Sequence, residues 1–131
     1  MDWARIEREG APEIRGVHPR HPDRLDVVIS LSGSPSGEWI RFLIASYQES
    51  PWKDIMDFPL PDVQADSILI APKDEDLKGW VEGLDKRIEE ANEFYEKQVL
   101  PQVQAKEKRK EAVENAARRR VEEAKRRAKD L

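Results

Sequence analysis

Residues 25–48 read LDVVISLSGSPSGEWIRFLIASYQ, and this stretch decides the fold class. Leu25, Val27, Ile29 and Leu31 alternate with Asp26, Val28 and Ser30, the period-two pattern of a half-buried strand. Ser32–Gly37 then closes the strand and opens a helix, with Ser34 as expected N-cap and Pro35 at the first helical position, where its missing N–H costs nothing. Over about 36–48, Trp39, Ile40, Leu43, Ile44 and Tyr47 fall on one face, which should lie on the sheet.

Working toward the N-terminus, residues 1–24 are poor in apolar side chains and punctuated by Gly10, Pro12, Gly16, Pro19 and Pro22. They leave room for short edge strands at Ala4–Glu9 or Glu13–Val17. Working the other way, Pro51 ends the helix, and Pro59 and Pro61 predict irregular chain. Trp52, Ile55, Met56 and Phe58 are too apolar for a solvated loop and are expected to tuck over the core edge. Ser67–Ala71 is a short apolar run between Asp66 and Pro72, read as a second, more central strand. The alternation of the first strand predicts a sheet with one wet face, hence a mixed or antiparallel one.

Asp74, Glu75 and Asp76 crowd the expected first turn of a long helix, where negative charge suits the helix dipole. Leu77, Val81, Leu84, Ile88, Ala91 and Tyr95 follow at alternating spacings of four and three, a seam of about five turns. Gly79 and Gly83 thin another face of this helix, for close packing on the sheet or on a partner. Pro101 predicts a kink or short break. The fold expected is α+β: a two- to four-stranded sheet covered by two helices in residues 1–100, and a long charged helical arm over 101–131.

The arm departs from the rest in charge. Lys106–Leu131 holds 11 Lys/Arg against 6 Asp/Glu, net +5, whereas residues 1–105 hold 12 against 21, net −9. Charged residues are 38% of the chain, above the roughly 25% of typical globular proteins. From Gln102 onward there is no Gly or Pro, and Glu114, Arg118, Glu122 and Arg126 alternate in sign four residues apart, as do Arg119, Glu123 and Arg127. Such pairs each add about 0.2–0.5 kcal/mol to an isolated helix.

A basic rod on an acidic body implies a contact surface. The first reading is a non-catalytic protein-interaction or assembly module, docking on a protein partner or, weakly, on another subunit. Its contact residues would be the arm stripe Val113, Ala117, Val121, Ala124 and Ala128, with Trp3 and Trp52 as exposed anchors. The stripe is too rich in alanine for tight self-assembly, and the seam of the preceding helix runs into Arg109, which a strict coiled coil excludes so early. The alternative is a nucleic-acid-associated protein touching phosphates through Lys106, Lys108, Arg109, Lys110, Arg118, Arg119, Arg120, Lys125, Arg126, Arg127 and Lys129. Six interleaved acids and the lack of any aromatic after Tyr95 weigh against it.

An enzyme is the third reading. The chain has no cysteine, which removes thiol nucleophiles and Cys-based metal sites. Its two histidines, His18 and His21, stand beside Asp23 in a Pro-rich turn and lack further ligands for a metal. Asp54, Asp57, Asp62, Asp66, Asp74 and Asp76 fit capping and loop solvation better than a cation loop. The Ser32–Gly37 turn lacks both phosphate-loop spacings. No cofactor is expected, and with neither a leader nor a membrane-length apolar run the chain reads as cytoplasmic.

Overall fold

The computed structural model describes residues 3–49 and 59–131. The expected tucking of Trp52, Ile55, Met56 and Phe58 lies outside the described residues. The chain divides into two compact units, Met1–Glu96 and Lys97–Leu131.

The first unit is built on a four-stranded antiparallel sheet of β1 (Glu13–Val17), β2 (Leu25–Ser30), β3 (Asp62–Gln64) and β4 (Ser67–Ile70), in the order β1-β2-β4-β3. The β2–β4 register sets Val27 opposite Ile70 and Ile29 opposite Ile68, so the four side chains share one face. Each is at most 3% exposed. Helices α1 (Gly37–Gln48) and α2 (Leu77–Phe94) supply the other half of this core, through Trp39, Leu43 and Tyr47 and through Leu84, Ile88 and Ala91. Phe42 of α1 stacks on Phe94 of α2 with centroids 4.5 Å apart.

Several expectations shift. The cap of α1 is Ser36, not Ser34: its Oγ accepts the Trp39 N–H, three residues on, as an N-cap hydroxyl does. The acids Asp74–Asp76 form a separate 3₁₀ turn ahead of α2 rather than its first turn. Ala4–Glu9 forms only an Arg8–Leu31 bridge, flanked by Glu9 N–H donating to Ser30 and Ser32 N–H donating to Glu7. β3 forms immediately after Pro61, because the two-residue turn Ala65–Asp66 folds it onto β4. That turn holds Ala65 at φ 51°, a left-handed conformation a side chain disfavours. The face opposite the helices is only partly wet, since Val28 is 5% exposed there. Neither Gly79 nor Gly83 has a described neighbour within 4 Å of where a Cβ would stand, so close packing on the sheet is not their role.

In β1 a bulge at Arg15 offsets the register between Ile14 and Gly16. The extra residue puts Ile14, opposite Val27, and Val17, opposite Leu25, on the same face. Both stay exposed, at 48% and 62%.

The helical run passes through a π-type turn, Tyr95–Val99, and continues as α3 (Leu100–Lys129). Pro101 therefore does not break the helix. It stands in the first turn of α3, where its absent N–H is tolerated, and the wider turn upstream relieves the clash of its ring with the carbonyl four residues back. The 30 residues of α3 include none that is buried.

Candidate functional site

The strongest candidate surface lies on α3. With about 100° of rotation per residue, Val113, Ala117, Val121, Ala124 and Ala128 share one stripe of this helix. Val113 is 69% and Val121 54% exposed, well above ordinary core values. A shallow hollow along the stripe is lined by Ala117, Val121 and Ala124 together with Arg120, Glu123 and Arg127. A second is lined by Pro101, Gln102, Ala105, Lys106 and Arg109.

The expected ladder of ion pairs does not close. Arg118 donates to Asn115 Oδ1 at 3.0 Å, and Arg127 Nε reaches the Glu123 carbonyl at 3.5 Å. No carboxylate among Glu114, Glu122 and Glu123 comes within the 4.0 Å of a salt bridge. Fully solvated pairs gain too little to fix two long side chains. Helix propensity holds the arm instead. Lys106, Lys108, Arg109, Lys110, Arg119, Arg120, Lys125, Arg126 and Lys129 are likewise exposed.

Trp3 is not a free anchor. Its ring stacks on Tyr95 with centroids 4.2 Å apart, and its Nε1–H donates to Glu96 Oε2 at 3.4 Å. Trp52, the other proposed anchor, lies outside the described residues. Trp39 is wholly buried and Trp80 half-buried, stacked on Tyr47.

Trp3 opens a strap that runs along α2. Arg5 pairs with Glu96 at 2.9 Å, and Arg8 makes a bidentate pair with Asp85 at 2.8 and 3.0 Å. The partner carboxylates raise both guanidinium pKa values above the usual, chiefly through these hydrogen bonds. Between them sits Asn92, only 3% exposed. Its Oδ1 accepts from Ile6 N–H at 3.1 Å and from Trp39 Nε1–H at 2.9 Å, while its Nδ2 donates to the Ile6 carbonyl at 2.8 Å. Sequence reasoning missed this hub. Its one visible sign is an amide placed four residues after Ile88 and beside Ala91, on the edge of an otherwise apolar seam.

Among the described residues Tyr47 is the most perturbed titrating group. Its ring lies under the Arg87 guanidinium, 4.2 Å from centroid to Cζ, and Arg87 spends Nη1 on the Ser46 carbonyl. Its buried hydroxyl finds no hydrogen-bond partner among the described residues. Burial pushes the phenol up to about 12, against the opposing pull of the Arg87 charge.

The remaining candidates carry little chemistry. His18 and His21 form a hydrogen-bonded turn: His18 N–H donates to the Arg24 carbonyl, and Arg24 N–H to that of His21. Their rings are 5.1 Å apart, but His18 Nδ1 accepts the Arg20 N–H. That bond places the neutral ring's proton on Nε2, the wrong tautomer for a metal ligand at that nitrogen. Among the described residues no group of three His, Cys, Asp or Glu is arranged to hold a metal. Asp62, Asp66, Asp74 and Asp76 do not converge, and Asp54 and Asp57 lie outside the described residues. In the Ser32–Gly37 turn, Ser32 Oγ is engaged by Glu7 N–H and Ser36 Oγ by Trp39 N–H, so this turn is a structural junction. Among the described residues, no helix is long and apolar enough to cross a membrane.

A scan against protein-family models finds no match, and comparisons with curated proteins and with solved structures find none either.

Proposed function

We propose that this chain is a non-catalytic protein-interaction module whose C-terminal helix docks on a partner or another subunit. The observation that carries this reading is α3 itself: 30 helical residues with none buried and an apolar stripe left open. A helix this polar gains no stability from a core of its own, and a face of valine and alanine serves it only when covered. Among the described residues of the first unit, Asn92, Ser32 and Ser36 spend their side-chain polar groups on structural bonds.

Light scattering on the full chain and on Val113→Glu/Val121→Glu, paired with titration of a labelled DNA duplex at 50 and 200 mM salt, tests it. An oligomer that the double variant dissolves identifies another subunit as partner. A monomer indifferent to the duplex points to a different protein. Tight duplex binding that falls steeply with salt overturns the reading in favour of phosphate contact through the basic residues.

A further inference from the structure

Around α3 the interleaved charges of the sequence sort into sides. At about 100° per residue, Arg109, Arg120 and Arg127 fall in one narrow row along one edge of the apolar stripe. Lys108, Arg119 and Arg126 lie nearly opposite the stripe, Glu123 and Asp130 fall between them and the row, and Lys106 and Lys110 fall on the stripe's own face near its N-terminal end. Four of the arm's six acids, Glu107, Glu111, Glu114 and Glu122, lie on the other side among Arg118, Lys125 and Lys129. The hollow over Ala117, Val121 and Ala124 has Arg120, Arg127 and the single acid Glu123 on its rim, so stripe and row form one surface.

From this arrangement we infer that the arm's partner is a helix of another protein, with small apolar residues along its seam and a row of Asp or Glu along the flank that meets Arg109, Arg120 and Arg127. The inference rests on the docking-helix reading and names its partner class. The row is all arginine, whose planar fork takes a carboxylate through two hydrogen bonds. Alanine in the stripe lets a second helix approach closely, bringing its flank within reach of those forks. A second copy fits poorly. In an antiparallel pair about a two-fold axis each flank faces its own counterpart, so the arginine row would meet itself. In a parallel pair it would meet Glu107, Glu114, Arg118 and Lys125, two bases against two acids, which offers the row no net attraction. A polyphosphate would use the basic side but leave the adjoining stripe bare.

The test uses the full chain and two designed helical peptides with alanine and leucine at the seam, one carrying glutamate on its flanks and the other lysine. Binding is followed by fluorescence anisotropy at physiological salt. The glutamate peptide is expected to bind at least about tenfold more tightly than the lysine peptide. Substituting Arg109→Glu, Arg120→Glu and Arg127→Glu together is expected to reverse that preference. These positions are exposed, and circular dichroism checks that the arm stays helical. Equal binding of both peptides, abolished by Val121→Glu, keeps the docking helix but overturns the acidic partner. Binding of neither overturns both readings. A DNA duplex that displaces the glutamate peptide from the arginine row, or self-association that depends on the stripe, also overturns the inference.

Discussion

Asn92 touches three buried polar groups at once, and each would be left unsatisfied if its amide were removed. Asn92→Leu should therefore destabilise the first unit by about 3 kcal/mol or more, a loss visible in denaturant unfolding. Leu84→Ala, a core truncation in the same helix, offers a comparison in the range of about 2–5 kcal/mol. Tyr47 links stability to alkaline pH. Its folded pKa of about 12 stands above the ordinary 10.0, so the native state holds this proton longer than the unfolded chain does. The resulting stability is complete below pH 10 and is lost as the pH rises through 12, at up to about 1.4 kcal/mol per pH unit. Unfolding measured across that window, alongside Tyr47→Phe, checks it. The variant should lose this slope and, with no buried hydroxyl to desolvate, be at least as stable at neutral pH.

At the scale of elements, α2 carries two glycines for which the first unit offers no steric need. A Cβ at Gly79 or Gly83 meets nothing described within 4 Å. Gly79→Ala and Gly83→Ala should each raise stability by about 1 kcal/mol, read from thermal or denaturant midpoints. A loss at either site would mean that something does approach that face. Gly16 is the contrasting case: at φ 140° it sits beside the β1 bulge in a conformation alanine resists. The π-type turn ahead of Pro101 shows how the chain accommodates a proline without ending the helix. Proline chemistry in the sequence forecasts a disturbance there, but the widened turn that absorbs it depends on backbone adjustments no residue pattern specifies.

Across the whole molecule, the two units should differ in how they resist opening. With no buried side chain, α3 is expected to exchange its amide hydrogens far faster than the strands β2 and β4, which open only with the core. Exchange mass spectrometry checks this, and slow exchange in the arm would show that its stripe is already covered. Much of this organisation is legible in the sequence because it is written in local periods: alternation for β2, the seam of α2, the charged composition of α3. What escapes is long-range or very short. β3 is three residues long and follows two prolines, and the Arg8–Asp85 and Arg5–Glu96 pairs join residues 77 and 91 positions apart. The docking stripe could be read as a pattern, whereas its bordering arginine row emerges only once the helix is known to run unbroken.

The strand order β1-β2-β4-β3 also governs how quickly the sheet can assemble. β1–β2 and β3–β4 are neighbours in sequence and can zip from their turns. The central β2–β4 ladder joins residues about 40 apart and must wait for the intervening chain, α1 included, to be brought home. That closure is predicted to limit the folding rate, so Ile29→Val and Ile68→Val should slow refolding, while Ile14→Ala at the edge should mainly hasten unfolding. Stopped-flow kinetics showing the reverse would place the nucleus in the outer hairpin.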